Sequence, residues 1–137
     1  MNTSTLDEQD IDKITEKIIG CAFKVSNVLG IGFVEKVYEN ALTREIRKAG
    51  MTVTQQFPIN VVYDGVRIGE FFVDLLVENT VLIELKVVSA LINEHMAQAL
   101  NYLRASGLPV CLLINFGRPK IQIRRLHPSP NWKSSSS

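Results

Sequence analysis

The segment VDLLVENTVLIELKVV, residues 73–88, is almost continuously apolar, yet three charged residues interrupt it where buried strands are expected. Asp74 precedes a turn at residues 78–80, and Glu84 and Lys86 follow the turn with one leucine between them. Alternate residues of a strand share a face, so Glu84 and Lys86 point the same way. Whether Asp74 joins them depends on the register of the hairpin.

The register depends in turn on the length of the loop. A three-residue loop pairs Val77 with Val81 and places Asp74 opposite Glu84, whereas a two-residue loop would send Asp74 to the other face. The three-residue loop also leaves a second face that is apolar throughout, formed by Val73, Leu75, Val77, Val81, Ile83, Leu85 and Val87. The pattern therefore favours convergence of Asp74, Glu84 and Lys86 on one face.

The remaining periodicity predicts one α/β domain with a mixed sheet: two helices, a three-strand meander, a helix and two further strands. Apolar residues at three- and four-residue spacing predict helices over residues 8–29, 34–49 and 92–106. Apolar or alternating runs predict strands over 52–63, 66–77, 81–88, 109–116 and 120–126, with a tight turn at residues 64–65. The third helix is expected to face the core with Met96, Ala97, Leu100 and Leu103. Residues 1–9 are expected to be an N-terminal extension, residues 10–127 the domain and residues 128–137 a disordered tail.

Composition favours a globular, cytoplasmic protein. The chain has 137 residues, 46% of them hydrophobic, and no apolar run reaches the roughly 20 residues that a membrane span requires. The N-terminus is acidic where a signal peptide would be basic and then apolar. Cys21 and Cys111 are isolated in apolar segments, so we interpret them as reduced core thiols in preference to a disulfide or a site.

The net charge of +1 indicates no general affinity for nucleic acid. The C-terminal part differs, because residues 107–137 contain no acid and five bases, namely Arg118, Lys120, Arg124, Arg125 and Lys133. Such bases either keep a strand edge solvated or form a patch that faces phosphate. Charge alone slightly favours the solvated edge.

Two carboxylates side by side need a compensating cation. At about 4 Å they repel each other by roughly 4 kcal/mol at an effective dielectric of about 20. Lys86 can neutralise one of them, whereas a divalent cation accepts oxygen ligands from both Asp74 and Glu84. The alternative is a surface ion pair between Glu84 and Lys86, with Asp74 merely near the turn.

Two helical pairs bear on this choice. Glu35 and Tyr38 are one turn apart, after two glycines that let the helix begin close to other backbone. Gln98 and Tyr102 share one face of the third helix, which suggests a polar neighbour. Otherwise Glu35 is a first-turn acid favoured by the helix dipole, and the tyrosines are boundary aromatics. His95 is interpreted as a half-exposed helix residue in preference to a ligand.

The pattern Gly32-x-x-Glu35-x-x-Tyr38, together with LINFG at residues 113–117, resembles the GxxExxY proteins of the PD-(D/E)XK nuclease-like superfamily. The resemblance spans about residues 10–127 and implies a restriction-endonuclease-like core. Val73 stands where the superfamily's name has proline, a position that is commonly relaxed.

The resemblance implies roles for the residues already singled out. Asp74 and Glu84 would bind Mg²⁺ or Mn²⁺ with the main-chain carbonyl of Leu85, and Lys86 would assist catalysis. Glu35 resembles an additional acid on the N-terminal helix and is expected to bind the metal directly or through water. The remaining roles are substrate contact or support by Tyr38, Gln98 and Tyr102, and phosphate contacts by Arg118, Lys120, Arg124 and Arg125.

The function that follows is metal-dependent hydrolysis of phosphodiester bonds in nucleic acid, with DNA expected before RNA. A homodimer would enlarge the small contact surface, and no membrane association is expected. Two alternatives stay open: a nuclease-like fold that only binds or assembles, and an enzyme for a small phosphodiester or nucleotide. Fold membership alone does not guarantee chemistry.

Overall fold

A computed structural model describes residues 6–128. Residues 1–5 and 129–137, which hold half of the expected extension and nearly all of the expected tail, lie outside the described residues. The elements in chain order are α1 (Glu8–Leu29), α2 (Glu35–Lys48), β1 (Val53–Tyr63), β2 (Val66–Val77), β3 (Val81–Lys86), α3 (Asn93–Ser106), β4 (Val110–Asn115) and β5 (Gln122–Leu126). The predicted order of helices and strands is confirmed.

The five strands form one sheet in the order β1-β2-β3-β4-β5. All neighbours are antiparallel except β3 and β4, which run parallel and are joined by α3. Because β3 and β4 are parallel, their C-terminal residues, Lys86 and Asn115, lie side by side at the same end of the sheet.

The helices cover opposite faces of the sheet and make two apolar clusters. The larger cluster joins α1 and α2 to one face, with Ile18, Leu42 and Leu75 among its buried members. The smaller cluster joins α3 to the other face, with Leu103 and Leu82 among its members. This division makes it possible to assign each strand residue to the side of α1 and α2 or to the side of α3.

The hairpin of β2 and β3 has the predicted register, since Val77 pairs with Val81 across a three-residue loop. Glu78 and Asn79 occupy the left-handed region in that loop, with φ of 52° each. The predicted apolar face is wrong at one residue: Val73 packs in the cluster of α3, whereas Leu75 packs on the other side.

The change coincides with Gln56 in β1, which has a φ of 54° and no partner in the register. Gln55 pairs with Leu75 and Phe57 pairs with Val73, so the strict alternation of faces is broken between these pairs. Both strands change sides at this point. The sequence of β2 alone does not reveal the break.

Smaller corrections concern the ends and faces of elements. Leu100 and Leu103 of the predicted α3 stripe pack in the core, but Ala97 is exposed and Ala99 is the buried alanine. Strand β3 ends at Lys86, two residues before the predicted end. Cys111 is buried and Cys21 is half-buried, and both are free thiols as predicted. None of the helices between residues 6 and 128 is long and apolar enough to cross a membrane.

Candidate active site

Asp74 and Glu84, hereafter the acid pair, lie next to each other where β2 and β3 separate. The Asp74 amide donates to Glu84 Oε1 at 3.4 Å, and the Leu85 amide donates to Asp74 Oδ2 at 2.7 Å. Both residues are buried, with 7% of their surface exposed. The structure thus brings together the two acids that the hairpin register predicts to converge.

Burial and mutual repulsion disfavour two negative charges in the acid pair. Desolvation and then the charge of Asp74 raise the pKa of Glu84 to about 8. Desolvation also raises the pKa of Asp74, although the hydrogen bond from the Leu85 amide opposes this effect. Near neutral pH the acid pair therefore retains a proton unless a cation compensates its charge.

Lys86 is the cation closest to the acid pair along β3. Its Nζ lies 3.7 Å from Glu84 Oε2 and donates to Gln98 Oε1 at 3.4 Å, with 21% of the side chain exposed. Gln98 on α3 is exposed, and Tyr102, one turn later, is buried. Burial and then the charges of Glu84 and Asp74 raise the pKa of Tyr102 to about 12, so its phenol stays neutral.

Glu35 at the start of α2 is exposed, but it is electrostatically coupled to the acid pair. Partial desolvation and then the charge of Asp74 raise the pKa of Glu35, while Lys86 opposes the rise. Within residues 6–128, no group of three or more Asp, Glu, His or Cys side chains is spaced to hold a metal ion by itself. Glu35 is therefore a neighbour of the acid pair and not a third ligand already in place.

Glu39 is a buried acid of this region that the sequence analysis missed. Its carboxylate accepts from Lys36 Nζ at 3.0 Å, from Gln55 Nε2 at 2.9 Å and from Gln56 Nε2 at 3.0 Å. Gln56 Nε2 also donates to Asp74 Oδ1 at 3.3 Å. The side-chain amide of this left-handed residue therefore contacts both Glu39 and Asp74. The available signal was the four-residue spacing from Glu35, which places both acids on one helical face.

Tyr38 is fully buried and supports the site without being able to reach a substrate. Its hydroxyl donates to the Gly30 carbonyl at 2.6 Å and accepts from the Phe33 amide at 3.3 Å. Its ring stacks on Phe116 with centroids 4.8 Å apart and planes 9° apart. The tyrosine therefore fixes the connection that begins α2 and positions Glu35 at its first turn.

Asn115 and Gly117, hereafter the strand-end clamp, hold the backbone that follows Lys86. Asn115 Oδ1 accepts from the Val88 amide at 3.0 Å and from the Gly117 amide at 2.9 Å, and its Nδ2 donates to the Val88 carbonyl at 2.9 Å. A Cβ on Gly117 would lie 2.4 Å from the Val88 carbonyl oxygen. The LINFG segment thus packs its backbone at Gly117 directly against the backbone at Val88. The Phe116 amide donates to the Lys86 carbonyl at 2.9 Å.

The four predicted phosphate contacts lie in two places: Arg124 and Arg125 on β5, and Arg118 and Lys120 in the loop before it. Arg125 is engaged with α1, since it pairs with Asp12 at 2.7 Å and donates to Thr15 Oγ1 at 3.1 Å. These contacts engage Nη1 and Nη2 without a phosphate, whereas the buried Nε has no hydrogen-bond partner among the described residues. Arg124 is exposed in the middle of β5, where it pairs with Leu113 of β4.

Arg118 and Lys120 are exposed in the loop after β4, at the end of the sheet where β3 also ends. Arg118 Nη1 donates to the Ser89 carbonyl at 3.5 Å, in the connection that follows Lys86. Of the four predicted phosphate contacts, these two lie nearest to the Lys86 strand end. His95 is not part of the site, since its Nδ1 accepts from the Ile92 amide at the start of α3.

A five-strand mixed sheet with helices on both faces, and an acid pair and lysine on adjacent strands, defines a restriction-endonuclease-like protein. The chain belongs to the PD-(D/E)XK nuclease superfamily, whose sequence profile matches residues 12–126. Its fold is similar to that of an alkaline exonuclease from Laribacter hongkongensis, with a TM-score of 0.53 and 16% sequence identity. That similarity covers 96% of this chain and 75% of the exonuclease chain. No curated protein sequence matches the chain.

Proposed function

We propose that the protein is a divalent-metal-dependent nuclease that hydrolyses phosphodiester bonds in nucleic acid, with DNA as the expected substrate. The observation that carries the proposal is the buried acid pair with the Lys86 ammonium beside it. A stable protein has little reason to bury two adjacent carboxylates with one lysine, because the cost of desolvation exceeds the gain from the pair. A bound cation would offset that cost.

The donor chemistry of the acid pair fits Mg²⁺ or Mn²⁺, which prefer hard oxygen ligands. Mg²⁺ is commonly held by one or two carboxylates together with waters and substrate phosphates, so a third protein ligand is not required in advance. Asp74 and Glu84 would hold the ion, with the Leu85 carbonyl and Glu35 as the further ligands proposed from the superfamily pattern. When bound, the ion neutralises phosphate charge and makes water more acidic.

The chain's own residues would act around that ion. Lys86 is placed to hydrogen-bond a phosphate oxygen or the attacking water, and Gln98 would orient the ammonium. Hydrolysis forms a bond between the water oxygen and phosphorus, breaks the ester P–O bond and delivers a proton to the leaving oxygen. Arg118 and Lys120 would attract the strand towards the Lys86 end of the sheet.

The first experiment measures metal binding without asking for turnover. Calorimetric titration of Mn²⁺ should give one site in the wild type and none in Asp74→Ala or Glu84→Ala. Glu70→Gln is the matched control because Glu70 is an exposed acid on β2, the strand of Asp74, and its carboxylate lies 3.6 Å from Arg67 Nη1. Unchanged Mn²⁺ affinity in both acid-pair variants would remove the metal site from the proposal.

The second experiment measures cleavage. Labelled single-stranded, duplex and branched DNA, the matching RNA and a small phosphodiester are incubated with the protein in Mn²⁺, Mg²⁺ or EDTA. Metal-dependent cleavage of nucleic acid that is lost in Glu84→Ala is the expected result. Binding of DNA with no cleavage under any condition would favour a module that only binds, and cleavage of the small ester alone would favour a nucleotide enzyme.

Membership in the GxxExxY group is proposed on the motif contacts described above, in which Tyr38 stacks on Phe116 of LINFG. A homodimer is likewise proposed, because a single small domain offers little surface to hold a duplex. Light scattering at micromolar concentration tests it. A monomeric mass for a protein that cleaves duplex DNA would show that pairing is unnecessary.

A further inference from the structure

Phe71 on β2 is a large apolar side chain exposed close to the acid pair. It lies three residues before Asp74, which is about 10 Å along a strand. Its surface is 46% exposed, although the next inward residue of the same row, Val73, is completely buried. On this face of β2, α3 therefore covers Val73 completely but leaves about half of Phe71 exposed to solvent.

The ring of Phe71 is held in place by the site itself. Its centroid lies 5.9 Å from that of Tyr102, with the planes tilted by 52°. Tyr102 is one helical turn after Gln98, which accepts the hydrogen bond from Lys86. Phe71 therefore stands on the same side of the sheet as the lysine, backed by a buried aromatic residue.

Phe72 provides an internal comparison. It is also a phenylalanine, with 53% of its surface exposed. The strand register pairs Phe71 with Ile59, which is buried in the cluster of α3, and pairs Phe72 with Pro58. The two adjacent phenylalanines therefore project from opposite faces of the same strand, and Phe71 has the site's Tyr102 as its neighbour.

We propose that Phe71 is a stacking platform for one unpaired base of the strand whose phosphate lies against Lys86 beside the acid pair. The inference rests on the proposed nucleic-acid substrate and names its class: single-stranded nucleic acid, or an end at which the strands have separated. An exposed aromatic ring next to a phosphate site suits this role, because every base offers a π face to a ring. Bases inside a duplex already stack on each other and cannot occupy the platform.

Binding to fluorescent single-stranded oligonucleotides, measured by anisotropy without Mn²⁺, tests the platform without any need for turnover. Phe71→Leu keeps apolar bulk but loses the ring, so its affinity should fall by about 5- to 150-fold. Phe71→Trp should restore the affinity, and Phe72→Leu should match the wild type. With an abasic residue at the contacted position, wild type and Phe71→Leu should bind equally well.

Three results would overturn the platform: equal losses in Phe71→Leu and Phe72→Leu, a loss that persists on every abasic oligonucleotide, or no binding of single strands at all. The proposed nuclease activity fails differently. If the protein binds single strands through Phe71 but never cleaves them in Mn²⁺, the platform stands and the hydrolysis does not. If Phe71→Leu cleaves duplex DNA as well as the wild type, the nuclease activity stands and the platform does not.

Discussion

Replacing Glu84 with glutamine should change how the stability of the metal-free protein depends on pH. Its pKa is raised from 4.5 to about 8 in the fold, so the neutral carboxyl is favoured in the folded state. The corresponding stability is fully present below about pH 4.5 and is lost as the pH rises to about 8. Glutamine is neutral throughout this range and keeps an oxygen for the Asp74 amide.

The magnitude follows from the shift in pKa. At roughly 1.4 kcal/mol for each pKa unit, the rise corresponds to a loss of about 3–5 kcal/mol between pH 4.5 and pH 8. This is a large part of the stability of a small domain, which is about 5–15 kcal/mol. Urea unfolding in EDTA, followed by far-UV circular dichroism at several pH values, measures the loss directly.

The wild type should therefore lose several kcal/mol of unfolding free energy from pH 5 to pH 8, and Glu84→Gln should lose much less. Glu70→Gln is the control, since it removes an exposed acid from the same region and should retain the wild-type dependence. Saturating Mn²⁺ should flatten the wild-type curve, because the cation binds the deprotonated acid pair. Parallel curves for wild type and Glu84→Gln would refute the assignment of the raised pKa.

Three further changes have defined expected outcomes. Lys86→Ala should leave calorimetric Mn²⁺ binding nearly unchanged while suppressing cleavage, and equal activity with and without the lysine would exclude it from catalysis. Gly117→Ala should destabilise the fold by about 2 kcal/mol or more in urea, because its Cβ would lie 2.4 Å from the Val88 carbonyl oxygen; an unchanged midpoint would contradict the close packing of the strand-end clamp. Tyr38→Phe removes the hydrogen bond to the Gly30 carbonyl and should cost about 1 kcal/mol, and a loss near zero in thermal unfolding would show that this bond does not hold the connection.

The sequence was sufficient for the fold because its periodicities are long and unambiguous. Strand β3 is apolar except for Glu84 and Lys86. Only the register set by a three-residue loop before it gives the hairpin a largely apolar face. That register predicts the proximity of Asp74 and Glu84. Local pattern thus determines the acid pair, since both acids belong to one hairpin.

The parts that could not be predicted depend on contacts between distant segments. Glu39 reads as a solvated helix residue until Gln55 and Gln56 are seen to reach its carboxylate. The change of face in β2 lies opposite the left-handed backbone of Gln56 on the neighbouring strand. Arg125 reads as a phosphate contact until α1 supplies Asp12. None of these partners can be deduced from spacing along the chain.

The strand-end clamp also has a consequence for the order in which the protein acquires its site during synthesis. The acid pair and Lys86 are synthesised first, and the Asn115 side chain that holds the backbone after Lys86 is made about thirty residues later. The ring that stacks on Tyr38 arrives with it, in Phe116. A nascent chain that ends before the fourth strand therefore carries every acidic residue but lacks the Asn115 and Phe116 contacts, so the proposed nuclease site is expected to assemble only when synthesis of the domain is almost complete.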